Sequence, residues 1–385
     1  MHTNDSDVVI AGAGVIGLVT AWRAAQRGLH VTIVAPEISE AASPVAAGML
    51  TPASEATFGE ETLMRFGTLS RNRYPEFITE LEEESGTPTG YRTEGTLQVA
   101  FDTDDLAKLT DLGELQNRLG IKTERLTARE CRRLEPMLAP AVRGGIVAPD
   151  DHSVDPRALM AALRTAAERH GAVGVRDRVT EVLYAQGQAA GLRLESGGEV
   201  RGRHVVLAAG VWTGAISGLA PGLLPELRPV KGQLLRLRTP EDQEPVVTRT
   251  VRGLVKGTPV YLVPRANGEI VLGATQEEMG HDTRLTVGGV WEILRDAHEL
   301  VPGVSELEIT ETCVGLRPGS PDNAPLLGPT RTPGLHLAVG HHRHGVLLTP
   351  ATGDAMAEAL AGGELPDYAR AFATDRLPTG SEEER

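Results

Sequence analysis

Cysteine is nearly absent. Cys131 and Cys313 are the only two in 385 residues, too few for a disulfide framework or a four-ligand zinc site. No apolar run reaches the roughly 18 to 20 residues that a bilayer-spanning helix needs. Met1-His-Thr-Asn-Asp5 leads almost directly into a strand, without the charged and apolar regions of a signal peptide. Basic charge is in deficit, with 38 Lys and Arg against 52 Asp and Glu and a net charge of −14. A chain this acidic repels phosphate backbones and anionic lipid headgroups, so neither nucleic acid nor a membrane is expected as a partner. Internal repeats and low-complexity tracts are missing as well. Hydrophobic residues at 41% and charged residues at 23% exclude disorder and collagen. The expectation is a soluble, reduced, cytoplasmic protein of two or three domains, at about 150 residues per domain.

The chain opens with a strand–helix–strand unit. An apolar run over 7–11 suits a strand buried on both faces, and a helix follows over 15–27, closed by Gly28. A second strand over 30–34 pairs parallel to the first, which requires the helix between them. Helices are predicted over 60–84, 104–119 and 128–134 around a strand at 95–101. Asp155-Pro156 caps and starts a helix to residue 170. Strands follow at 173–176, 179–184, 191–194 and 204–208, then at 233–237, 260–263 and 270–273. A helix over 287–300, strands over 307–314 and 335–339, and an Ala-rich helix over 345–360 complete the chain. The fold class is α/β: a Rossmann-like dinucleotide-binding domain with a parallel sheet, interleaved with an antiparallel-sheet substrate domain. Residues 1–75, 140–228 and 318–375 are assigned to the first, 76–139 and 229–317 to the second, and 376–385 to a charged tail.

Gly12-Ala-Gly14-Val15-Ile16-Gly17 lies between the first strand and the first helix. Gly12 permits the tight turn, Gly14 lets backbone approach a pyrophosphate, and Gly17 lets helix and strand pack closely. The helix N-terminus offers free N–H groups to the anion. An acid normally ends the second strand and binds the ribose. Here that position is Ala35, with Glu37 two residues late, so either Glu37 reaches back or main-chain groups take over. The fingerprint alone does not separate NAD from FAD. Two later segments favour FAD: the small-residue strand end Ala208-Ala209-Gly210-Val-Trp212, and Gly340-His341-His342-Arg343-His344-Gly345, a strand-to-helix turn. A helix N-terminus at that turn would favour negative charge on the pyrimidine end of a flavin.

With Ala46-Ala-Gly-Met-Leu50, Pro229-Val-Lys-Gly-Gln233, Val260-Tyr-Leu-Val-Pro-Arg265 and Gly315-Leu-Arg-Pro-Gly319 added in this order, the chain resembles the D-amino acid oxidase/sarcosine oxidase-like family of FAD-dependent amine oxidoreductases over nearly its whole length. Within it the likeness is to the glycine oxidases of thiamine biosynthesis. The resemblance implies noncovalent FAD and a small amino acid or amine, with O2 as acceptor and homo-oligomers possible. Arg317 would bind the substrate carboxylate bidentately, as guanidinium geometry suits. Tyr261 would give that carboxylate a second hydrogen bond, Arg343 would lie near flavin and substrate, and Met49 would line the pocket. Cofactor contacts are expected from Gly12, Gly14, Val15, Ile16, Gly17, Glu37, Ala42, Ser43, Ala47, Gly48, Met49 and Val179. Others are expected from Ala209, Gly210, Trp212, Gly340, His341, His342, Arg343, His344, Gly345, Val346 and Leu347.

The implied reaction removes hydride from the substrate carbon and gives an imine, which hydrolyses to a 2-oxo acid, glyoxylate in the case of glycine; O2 becomes H2O2. Two departures fall at the active-site rim. His342 and His344 stand where the family has an aromatic residue and Asn, and the stretch 252–259 lacks the histidines the family carries there. His341, His342 and His344 are poorly spaced for a metal, and no metal is assigned. Sarcosine oxidases attach flavin through cysteine near the position of Cys313; a buried strand cysteine is the commoner case. The alternatives are an oxidase of a larger N-substituted glycine or secondary amine in a specialised pathway and, in another class, an NAD-dependent dehydrogenase.

Overall fold

The computed structural model describes residues 6–36, 41–240 and 242–377. Two eight-stranded sheets carry the architecture. The first grows from the apolar N-terminal run. Ser6–Ala11 pairs in parallel with Val31–Val34 on one side and Glu199–Leu207 on the other, Ala11 lying opposite both Val34 and Leu207. Val173–Val175 extends the parallel set beyond Val31–Val34, and Leu335–Val339 extends it beyond Glu199–Leu207. Leu326–Pro329 closes one edge antiparallel, and the hairpin Val179–Ala185/Gln188–Leu194 joins Glu199–Leu207 antiparallel.

The helices Val15–Gln26, Glu61–Ser85, Pro156–Arg169 and Thr349–Gly362 share one core against this sheet, with Trp22, Tyr74, Leu81, Leu159, Leu163 and Met356 inside it. Each large apolar side chain so buried contributes about 1.5–3 kcal/mol. The first helix has ten buried positions out of 12, so it is an interior helix and not an amphipathic surface one.

The second sheet runs Glu308–Gly319, Arg228–Arg238, Glu269–Gly273, Thr258–Pro264, Thr250–Val255, Thr96–Ala100, Gly144–Ala148, Glu124–Thr127. Its pairs are antiparallel except Thr250–Val255 with Thr96–Ala100, which is parallel. The expected antiparallel sheet is therefore mixed. Helix Val287–Leu300 packs on it through Ile293, Ala297 and Leu300. The molecule is thus an α/β protein with two mixed sheets, the first parallel at its centre.

Several expected boundaries move. A division at residue 75 cuts helix Glu61–Ser85, yet Phe77, Ile78 and Leu81 pack in the same core as Leu63 and Phe66. A division at 139/140 leaves Gly144–Ala148 with the first sheet, but it pairs with Thr96–Ala100 in the second. That strand was hidden by its glycines; a side chain at Gly145 would run into the Gln98 carbonyl, so the close pairing needs glycine. Thr250–Val255, Glu124–Thr127 and Leu326–Pro329 were also not anticipated. The strand expected to stop at 314 continues to Gly319, because Arg228–Arg238 pairs with it through Pro229 opposite Pro318. The last helix starts at Thr349, with Pro350 in its first turn, and the preceding turn is the three-residue 3₁₀ helix His342–His344.

Candidate active site

The carboxyl ends of the parallel strands open into a cavity of about 750 Å³, where an open α/β sheet binds its ligand. Ala11, Val34–Ala35, Ala208–Ala209 and Val339–Gly340 line it from successive strand ends. Gly12 has φ +110°, and a Cβ there would strike the Ala208 carbonyl. Gly14 caps helix Val15–Gln26 without a side-chain hydrogen bond, while Ser43 Oγ accepts from Val15 N at 3.1 Å. The strand end, the tight glycine turn and the open helix N-terminus together fit a dinucleotide pyrophosphate. Trp212 also lines the cavity, and its buried indole N–H has no hydrogen-bond partner among the described residues.

Of the residues expected to hold the cofactor, Gly12, Gly14, Val15, Ile16, Ala42, Ser43 and Val179 line this cavity. So do Ala209, Gly210, Trp212, Gly340, His341, His342 and Gly345. Three expected residues line neither this cavity nor the adjoining one. Gly17 instead packs against the Gly12 carbonyl, where any Cβ would collide; Leu347 packs over Gly67; His344 is buried beside Glu55. Glu37 lies outside the described residues. At the Ala35 end the lining includes Arg164, Glu168, Arg176 and Arg178, none anticipated from sequence.

A second chamber of about 320 Å³ shares Val15, Ala42, Ser43, His342 and Gly345 with the first. Its walls bring together Arg317, Tyr261, Arg343, Met49, Ala47, Gly48 and Val346, residues spread over about 300 positions of sequence. Arg317 lies on strand Glu308–Gly319. Its guanidinium rests over Gly232 of the neighbouring strand, where a Cβ would lie 2.5 Å from Nη2. Among the described residues it donates only to backbone, to the Thr275 carbonyl at 3.2 Å and the Lys231 carbonyl at 3.4 Å. No carboxylate of the described residues pairs with it. Tyr261 lays its ring over Gly273 in the same manner. Burial raises the Tyr261 hydroxyl pKa, against the lowering effect of Arg317, so the phenol stays protonated.

Arg343 is engaged: Nη2 donates to Thr57 Oγ1 at 3.0 Å and Glu60 Oε2 at 3.2 Å. Gly48 has φ +76° and sits where a side chain would meet Val154 and Pro156. Arg265, buried, donates to the Ala47 and Val154 carbonyls at 2.5 and 3.0 Å and so fastens the Ala46–Leu50 segment to the sheet.

Two charged chamber residues were not anticipated. Arg252 Nη1 donates to Glu55 Oε1 at 3.0 Å and approaches Met49 Sδ at 3.5 Å. Burial raises the pKa of Glu55, but Arg252, His344 and Arg343 outweigh it and hold the carboxyl at about 2. The only sequence signal for Glu55 was its place six residues after Met49. Arg252 stood in the stretch noted for the histidines it lacks.

Segment 51–57, which carries Glu55, is itself pinned. Buried Asp151 accepts from Ala53 N at 3.2 Å, Ser54 N at 2.8 Å and Ser54 Oγ at 2.6 Å. Burial pushes that carboxyl up to about 6 despite these donors.

The three histidines of the C-terminal turn stay neutral at neutral pH. Burial lowers His341 to about 3, burial with Arg343 and Arg317 lowers His342 to about 3, and burial lowers His344 to about 4 although Glu55 opposes it. Among the described residues no three His, Cys, Asp or Glu side chains are grouped to hold a metal. Cys313 is buried among Val45, Ala47, Leu234 and Val263 and lines neither cavity. No helix of the described residues is long and apolar enough to cross a membrane.

Residues 7–359 match the sequence model of the FAD dependent oxidoreductase family, DAO. The chain belongs to this family. Family members similar to it include the glycine oxidase of Bacillus licheniformis, 31% identical over 376 residues, covering 96% of this chain and 97% of that protein. The bifunctional protein ThiO/ThiG of a Nostoc strain is 34% identical over 366 residues. That match covers 92% of this chain and 52% of the relative, so the chain spans about half the length of such two-part proteins. The crystal structure of glycine oxidase from Geobacillus kaustophilus superposes with a TM-score of 0.88 at 30% identity, covering 98% of this chain and all of that one.

Proposed function

We propose that this chain oxidises the carbon–nitrogen bond of glycine or a small N-substituted glycine, with FAD held noncovalently and O2 as the electron acceptor. The observation that carries this reading is Arg317. Among the described residues it is a fork of donors with no acid of its own, set in a chamber that adjoins the dinucleotide cavity and shares five residues with it. A half-buried guanidinium in a chamber wall, without a carboxylate partner among the described residues, calls for one from the ligand.

FAD, when bound, would supply a two-electron acceptor for the substrate carbon that O2 can reoxidise. The residues would divide the remaining work. Gly12, Gly14, Val15 and Ser43 would hold the pyrophosphate; Arg317 and the Tyr261 hydroxyl would grip the carboxylate and fix the adjoining carbon. The low-lying histidines add no positive charge beside the amine, which has to react as the free base. Positioning of this kind supplies most of what such a protein contributes. In balance, the C–H and N–H hydrogens leave with two electrons to form H2O2, and water converts the imine into glyoxylate and the released amine.

The purified protein should show flavin absorption bands. Anaerobic glycine or sarcosine should bleach them, and air should restore them with one peroxide per turnover. A colourless protein that reduces NAD, or a flavin that no amine bleaches, sinks this reading.

A further inference from the structure

Arg317 and Tyr261 account for one carboxylate and leave Arg252 unexplained. Its Nη1 holds Glu55, while Nε and Nη2 have no partner among the described residues, although the side chain forms part of the chamber wall. Arg252 sits directly across from Tyr261 in the antiparallel pair, and Tyr261 is across from Gly273. The three form one row on one face of the sheet, with the Tyr261 ring lying over Gly273. Arg317 rises on the same sheet four strands away, a width of about 19 Å between strand axes that two inward-reaching arginines narrow. The Tyr261 hydroxyl lies within the electrostatic reach of both Arg317 and the Arg252–Glu55 pair.

The donors left over point the same way. Arg252, Arg317 and Arg343 stand in the wall against Glu55, and Glu60 behind it satisfies Arg343. Among the described residues Arg317 has no carboxylate partner and Arg252 gives Glu55 only Nη1, which leaves one donor edge for each of two carboxylates.

We propose that Arg252 is a specificity-determining residue that reads a second anionic group, so that the preferred substrates of this site are amino-dicarboxylates, compounds of the N-(carboxymethyl)glycine kind. The free Nε/Nη2 edge receives the second carboxylate bidentately while Nη1 keeps Glu55. Oxidation follows the balance given above: N-(carboxymethyl)glycine and O2 yield the imine and H2O2, and water then releases glyoxylate and glycine. This assignment rests on the amine-oxidase reading of the site.

The test uses the flavin-loaded enzyme and two ethers that cannot be oxidised at nitrogen: oxydiacetate, a dianion, and methoxyacetate, a monoanion. Binding is read from the shift of the flavin bands. The wild type is expected to hold oxydiacetate at least roughly tenfold more tightly than methoxyacetate. Arg252→Gln should erase that preference and Arg252→Lys should restore part of it. In turnover, the ratio of kcat/KM for N-(carboxymethyl)glycine over sarcosine should fall by a similar factor in Arg252→Gln. Equal affinity of the wild type for the two ethers overturns the assignment without needing any variant, and so does a preference that survives Arg252→Gln. Oxidation of sarcosine with no preference for the dianion sinks this inference alone. A flavin that neither sarcosine nor the diacid reduces sinks the amine-oxidase reading with it.

Discussion

Two residues bear most of the proposed chemistry, and each can be tested alone. Removing the Arg317 fork leaves the substrate carboxylate in a buried site with only the Tyr261 hydroxyl. Losing one partner of a buried charged pair costs about 3 kcal/mol, roughly a hundredfold in affinity. Arg317→Met should therefore raise KM for glycine or sarcosine about a hundredfold, with a smaller fall in kcat, in steady-state peroxide assays; an unchanged KM removes the anchor role. Gly12 is constrained on two counts, its φ of +110° and the Ala208 carbonyl against it. Gly12→Ala has to shift the strand end that lines the dinucleotide cavity. The variant should be isolated with little flavin, read as the ratio of visible to ultraviolet absorbance. Full flavin content would show that this turn does not hold the cofactor. The dinucleotide turn was visible in the sequence because glycine spacing reports backbone conformation directly. Arg252 and Glu55 were not, because an ion pair between positions 197 apart leaves no local pattern.

At the scale of elements, segment 51–57 depends on Asp151 in the turn before strand His152–Ser153. Its carboxyl titrates at about 6 in the folded chain against an ordinary value of 3.8. A raised folded-state value means the folded chain takes up the proton first, so this group adds stability as pH falls from 7 through 6 toward 4. Relative to Asp151→Asn, the wild type should gain about 1 kcal/mol between pH 7 and pH 5, measured by denaturant unfolding at the two pH values. No difference in pH dependence between the two would place Asp151 in a more open setting. The strand Glu308–Gly319 teaches a related lesson. Read locally, Gly315, Pro318 and Gly319 look like punctuation. Paired against Arg228–Arg238, they lie in a strand that holds Arg317 over Gly232, and cross-strand pairing overrides local propensity.

For the whole molecule, cofactor and fold are linked. FAD that binds only the folded chain stabilises it by about 2.7 kcal/mol at a hundredfold excess over Kd. Stripping the flavin should lower the melting temperature by several degrees, and adding FAD should restore it. Because Cys313 lines neither cavity, acid precipitation should leave the yellow colour in the supernatant; a yellow pellet would mean a covalent bond. The sequence by itself determined the α/β class, the first strand–helix–strand unit, the glycine turn, and the arginine and tyrosine motifs that carried the family likeness. These are local signals: period, caps and glycine spacing act within a few residues. Tertiary structure alone decided that helix Glu61–Ser85 stays whole in the first core and that Gly144–Ala148 joins the second sheet. It alone brought Arg252, Tyr261 and Arg317 onto one chamber wall. Those outcomes depend on contacts between distant segments, whose free energy appears only when the chain closes on itself.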